Sequence, residues 1–145
     1  MTRASLEDEI RAGRPAVYVI STCACRKKFM NTFDMNFHPA ISRGIQDLGF
    51  TEPTPIQRDS IPPALDGRDV LACARTGSGK TAAFVLPILQ HMAVTHSGRA
   101  RALIITPTRE LASQIHEHIE ALARHTPVRS ATVFGGVKPG KQEKA

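Results

Sequence analysis

Val70-Leu71-Ala72-Cys73-Ala74-Arg75-Thr76-Gly77-Ser78-Gly79-Lys80-Thr81-Ala82-Ala83-Phe84-Val85-Leu86-Pro87-Ile88-Leu89 is the stretch on which the reading of this chain turns. A short apolar run, a glycine turn and a long apolar run follow one another. Residues 70–73 have the length of a buried strand. Residues 82–89 are apolar on nearly every side, as in a helix buried all round, and Pro87 predicts a kink in it. Between them, Gly77 and Gly79 open backbone conformations closed to other residues and let a ligand approach the chain closely. Several N–H groups then point inward at a helix N-terminus and form an anion nest. Lys80 adds a cation for β and γ phosphates, and the Thr81 hydroxyl suits Mg²⁺. Arg75, Thr76 and Ser78 complete the loop. The strict phosphate-loop pattern has glycine where this chain has Ala74; the inner glycines and the Lys-Thr pair remain. The bland alternative is a strand-to-helix turn that binds nothing.

The neighbouring segments repeat this alternation. Upstream, Pro39 suits a first helical position, Ile41, Ile45 and Leu48 share one face, and Gly49 suits the residue beyond the helix end. Thr54-Pro55 signals a second helix start, and Pro62-Pro63 should bend or end that helix. Downstream, Leu103-Ile104-Ile105 reads as another buried strand. From Arg109 to about Arg124, Leu111, Ile115, Ile119 and Leu122 make an amphipathic stripe that Thr108 is placed to cap. Ser130-Ala131-Thr132-Val133-Phe134 reads as a third strand, ended by Gly135-Gly136. Strand, helix, strand, helix, strand is the order of a parallel α/β sheet with right-handed crossovers.

The 145 residues suffice for one domain. Apolar residues make up 41% and charged residues 22%, values of a globular chain. No apolar run approaches the roughly 18 residues of a membrane span, and the acidic residues before Ala16–Ile20 argue against a secretory signal. Three cysteines make no disulfide framework, which fits a reducing, cytoplasmic compartment. The net charge of +6 permits a phosphate-bearing partner without demanding one. Residues 1–30 differ from the rest and read as a poorly ordered extension. They hold an acidic cluster, Cys23-x-Cys25 and Arg26-Lys27-Lys28, and Met30 stands as an alternative start. One C-x-C supplies two ligands where structural zinc needs four. Residues 137–145 form a polar tail. The histidines read as surface or structural groups, and Cys73 as a small hydrophobe.

Three motifs in order, with fitting elements between them, carry a family resemblance. They are Gly49-Phe50-Thr51-Glu52-Pro53-Thr54-Pro55-Ile56-Gln57, the loop at 74–81, and Pro107-Thr108-Arg109-Glu110-Leu111-Ala112 followed by Gly135-Gly136. Residues 33–136 resemble the amino-terminal part of a DEAD-box ATP-dependent RNA helicase of the bacterial type. The implied fold is α/β: a partial RecA-like P-loop domain, residues 31–136, with parallel strands and flanking helices. The implied cofactors are ATP and Mg²⁺, and the implied partner is RNA. On this resemblance Gln57 would read adenine through its amide, as donor and acceptor together. An upstream aromatic would stack on the base. Phe33 is the candidate and Phe37 its rival, with plain core packing the alternative. Pro107, Thr108, Arg109, Glu110, Gly135 and Gly136 would meet the RNA backbone, so binding should be independent of sequence and sensitive to salt. Taken alone, Arg109-Glu110 is a solvated first helical turn.

The family's Asp-Glu-Ala-Asp and Ser-Ala-Thr motifs do not occur in these residues. Mg²⁺ would then lack its carboxylate anchor and the attacking water its base. The expectation is a truncated helicase, inactive alone. The alternatives are a residual ATP- or RNA-binding module, or a non-functional gene fragment. Another phosphate-loop class, such as a small kinase, would leave Gln57 and residues 107–112 as coincidences. In RecA-like sheets the neighbours of the phosphate-loop strand come from further along the chain. Strand 70–73 should therefore lack partners and expose an edge prone to aggregation.

Overall fold

The computed structural model describes residues 35–94 and 100–135. The extension 1–30 with Cys23 and Cys25, Phe33, His96, Gly136 and the tail 137–145 lie outside the described residues. The elements found are the helices α1 (Pro39–Asp47), α2 (Pro55–Leu65), α3 (Lys80–Val94) and α4 (Arg109–Ala123).

Each helix begins and ends for local reasons. Pro39 opens α1, and the His38 ring accepts from the Ala40 N–H through Nδ1 at 3.3 Å. Gly49, with φ of +70°, terminates it: its own N–H reaches Gln46 O at 2.9 Å, and Phe50 N reaches Ile45 O at 3.1 Å. Pro55 opens α2. The pair Pro62-Pro63 neither ends this helix nor stands at its last residue, contrary to the stronger form of the expectation. Both lie in the final turn, where each removes one i→i−4 bond, to the carbonyls of Arg58 and Asp59, while their own carbonyls accept from Asp66 N and Arg68 N at 3.1 and 3.0 Å. α3 continues through Pro87. Thr108 caps α4, its Oγ1 accepting from Leu111 N at 3.2 Å.

α3 is the centre of the packing: it touches α1, α2 and α4, and α1 also lies on α4. Its Val85, Leu86 and Leu89 are buried with Ile41, Ile45 and Ile61, and with Ile115 and Leu122 of α4. Full burial of such a side chain stabilises by about 1.5–3 kcal/mol. Phe37 belongs to this core. Of the α4 stripe, Ile115 and Leu122 are buried and Ile119 packs on the core, whereas Leu111 at the helix start is exposed. At Gly44 the helices approach so closely that a Cβ there would stand 2.2 Å from Leu122 O. His125 Nε2 and Asp47 Oδ2, 2.7 Å apart, tie the ends of α4 and α1.

The three expected strands need correction. Among the described residues, 70–73, 103–105 and 130–134 form no strand. At 70–73 the expected buried strand is absent and Leu71 is exposed. The other two depart from the strand reading as well. They are also not buried on both faces: Ile104 packs on the helical core, while Leu103, Ile105 and Val133 are 84%, 85% and 77% exposed. The helices cover one face of these segments only. A pair of strands without further neighbours is marginal, so ladder pairing does not follow from helix contact alone.

Candidate functional site

The phosphate loop has the backbone its glycines suggest. Gly77 and Gly79 take φ of +79° and +89°, and the turn closes through Ser78 N donating to Arg75 O at 3.3 Å. α3 then starts at Lys80. Ala83 N bonds back to Gly79 O at 3.2 Å, while the amides of Lys80, Thr81 and Ala82 precede the helix's own ladder. Those three donors form the anion-attracting end of the helix.

Lys80 curls back over the loop. Its Nζ donates to Ala74 O at 2.5 Å and to Arg75 O at 2.7 Å. The ammonium is thus held at the loop by two neutral carbonyls, partners that a phosphate oxygen would outcompete through charge. Arg75 and Thr76 are exposed beside it, and Thr81 is half-buried in the first turn.

Gln57, 3% exposed, joins the loop from α2. Its Nε2 donates to Gly79 O at 3.0 Å, and its Oε1 accepts from Thr54 N at 2.9 Å. The amide assigned to adenine on sequence grounds therefore spends one donor and one acceptor on the protein, and only what these bonds leave over is free for a base. The contact is close: a Cβ on Gly79 would lie 2.6 Å from Gln57 Nε2 and 3.0 Å from Thr54 Oγ1. Two buried hydroxyls here, Thr54 Oγ1 and Ser78 Oγ, have no hydrogen-bond partner. Buried polar groups without partners are uncommon, and a ligand is one way to satisfy them. Free amides, a cation and an unpaired hydroxyl at one turn fit a phosphate chain. In the sequence Thr54 is a helix start and a member of the 49–57 motif, with no role of its own; its place three residues before Gln57, the capping-box spacing, is the signal that ties it to this site. Of the two aromatic candidates, Phe37 is occupied in the core.

The second group lies at the start of α4. Pro107, Thr108, Arg109 and Glu110 are exposed. The Arg109 guanidinium donates through Nη2 to Gly135 O, which brings together two pieces of chain 26 residues apart. Both groups thus stand where an unladdered segment turns into a helix. Among the described residues, no cluster of three or more His, Cys, Asp or Glu side chains could hold a metal ion, and no helix is long and apolar enough to cross a membrane.

Comparison with known proteins places this geometry. Residues 54–145 match the DEAD/DEAH box helicase family. The ATP-dependent RNA helicase SrmB of Escherichia coli is 52% identical over 107 residues, 72% of this chain and 24% of that protein. The DEAD-box ATP-dependent RNA helicase RhpA of Helicobacter pylori is 46% identical over 109 residues, 75% of this chain and 22% of that protein. The chain thus spans about a quarter of the length of these curated relatives. The crystal structure of the RNA-helicase Prp28 from Chaetomium thermophilum bound to ADP superposes with a TM-score of 0.74 at 34% identity, over 85% of this chain and 31% of that one. A DEAD box protein from Methanococcus jannaschii gives 0.66 at 34% identity, over 81% of this chain and 32% of that one. The backbone path is therefore that of part of a RecA-like α/β domain, although no ladder joins its segments among the described residues.

Proposed function

Because the chain belongs to the DEAD/DEAH box helicase family, we propose that it carries the nucleotide- and RNA-contacting first half of RecA-like domain 1, residues 31–136, of a cytoplasmic ATP-dependent RNA helicase. The observation that carries this reading is the convergence of Gln57 and Lys80 on the turn at 74–81: Gln57 Nε2 on Gly79 O at 3.0 Å, and Lys80 Nζ on Ala74 O and Arg75 O.

Mg-ATP, when bound, supplies a phosphoanhydride whose cleavage releases free energy. The chain's own residues bind and orient. The amides of Lys80, Thr81 and Ala82 and the Ser78 hydroxyl meet phosphate oxygens, with Thr76, Gly77 and Gly79 shaping the turn. Lys80 would exchange its two carbonyl partners for phosphate oxygens, and the Thr81 hydroxyl would be the ligand this chain offers to Mg²⁺. Gln57 would read the base and, through its bond to Gly79 O, link that reading to the loop; Phe33 would stack on the base and Arg75 would serve the phosphates. Thr108, Arg109, Gly135 and Gly136 would hold RNA through its backbone, with Pro107 and Glu110 shaping the helix entry. No residue of this stretch is assigned a catalytic role: the Asp-Glu-Ala-Asp sequence that would anchor Mg²⁺ and activate water is not among the 145 residues. Binding without turnover is therefore the behaviour proposed for this chain alone.

Calorimetry with Mg-ATP tests the reading. The unaltered chain should bind, and Lys80→Ala should weaken binding at least about tenfold, since charge-assisted contacts are the strong ones. Absence of heat from the unaltered chain at millimolar ATP would sink the nucleotide assignment. Phosphate release stimulated by RNA and abolished by Lys80→Ala would sink the claim of inactivity.

A further inference from the structure

Residues 128–134 form no ladder, yet α4 grips them. Ser130 Oγ donates to Glu120 Oε1 at 3.0 Å and lies 2.7 Å from His116 Nδ1. A hydroxyl has one proton to give. With that proton directed at the carboxylate, the imidazole donates through Nδ1–H. His116 and Glu120 are four residues apart, so they share one helix face and close on Ser130 from adjacent turns. The same helix takes hold again at its N-terminus, where Arg109 donates to Gly135 O. Val128 packs on the core at the near end of the segment.

The two grips are matched in length. Along α4, Arg109 lies about 13 Å from the level midway between His116 and Glu120 at 1.5 Å per residue. The five residues from Ser130 to Gly135 span at most about 17 Å when fully extended. The tether is short, so the place of Ser130 on α4 limits how far the Gly135 carbonyl can stand from Arg109. The cleft beside the clasp is lined by Glu117 and Glu120 against Arg124 and Arg129. That balance of charge gives a charged ligand nothing to prefer, and the clasp is read as positioning.

We propose that Ser130, clasped by His116 and Glu120, is a positioning residue for the Arg109–Gly135 pair: it holds the segment in register on α4 and so keeps the guanidinium aimed at the RNA backbone. This rests on the RNA reading of Arg109 given above. Without the clasp the segment slides, the Gly135 carbonyl leaves Arg109, and the guanidinium must be ordered anew by each phosphate it meets.

The experiment uses the full 145-residue chain with Ser130→Ala and Ser130→Thr. The first removes the hydroxyl and the second keeps it. The Arg109 Nε–Hε nuclear magnetic resonance signal, assigned with Arg109→Lys, reads the pair directly. Binding of a labelled oligouridine at low salt reads its use. Ser130→Ala should shift the Arg109 signal and weaken oligouridine binding about three- to tenfold, the loss of one net hydrogen bond's ordering. Ser130→Thr should leave both near the unaltered values, and helicity and melting should not change in either variant. An Arg109 signal unmoved in Ser130→Ala, equal shifts in the two variants, or a matching loss of helicity would each overturn the proposal. If the unaltered chain fails to bind oligouridine while the Arg109 signal still moves only in Ser130→Ala, the RNA assignment falls and the Ser130–Arg109 linkage stands.

Discussion

Gly79 concentrates the demands made on a single residue. Its φ of +89° is a conformation that L side chains rarely adopt, and the space for a Cβ is already filled by Gln57 Nε2 and Thr54 Oγ1. Gly77 shares the first constraint at φ +79° but has open space where a Cβ would go. The two glycines should therefore respond unequally to alanine. Gly79→Ala should cost about 1–3 kcal/mol in backbone strain alone, and should also displace Gln57 and suppress Mg-ATP binding. Gly77→Ala should bear the strain without the displacement. Urea unfolding and nucleotide titration of the two variants make the comparison; equal losses of binding in both would show that the Gln57 contact has no part in the site. Gly79 was legible in the sequence as a turn glycine. The family resemblance assigned Gln57, 22 residues away, to the same nucleotide as the loop; its contact with Gly79 was not legible, because separation along the chain says nothing about proximity across a fold.

Among the elements, α1 and α4 meet through Gly44, a glycine in the middle of a helix. Helix propensity alone favours alanine there by about 1 kcal/mol. Packing argues the other way, because the Cβ would overlap Leu122 O at 2.2 Å. A backbone carbonyl cannot rotate away as a side chain can, so α1 must lift off α4, and overpacking of this kind typically costs about 1–3 kcal/mol. Gly44→Ala should lower the urea midpoint, and a raised midpoint would mean that the helices adjust freely. Propensity reasoning sees only the first of these effects. The same limit appears at Pro62-Pro63: their composition signals a helix end, yet α2 runs two residues past them, to Leu65.

At the scale of the molecule, the described helices cover one face of residues 103–105 and 130–134 and leave apolar side chains of the other exposed. Leu103, Ile105 and Val133 stand 84%, 85% and 77% exposed, an arrangement prone to association through apolar surface. The chain should bind a hydrophobic dye and self-associate as its concentration rises. Leu103→Lys with Ile105→Lys should reduce both while changing stability by no more than about 0.5 kcal/mol, as befits substitutions at exposed sites. Dye fluorescence and light scattering check this; unaltered dye binding would show that the apolar row is covered in solution. By itself the sequence determined the helices and the phosphate loop, because period, caps and turn glycines act within a few residues of one another. The alternation of apolar runs with helices also marked the order of an α/β domain. Only the tertiary structure decided that Gln57 seats on Gly79, that Ser130 is held between His116 and Glu120, and that residues 103–105 and 130–134 form no strand among the described residues. Ladders, close approaches and clasps join residues distant in the chain, and whether they form depends on what the surrounding packing brings within reach.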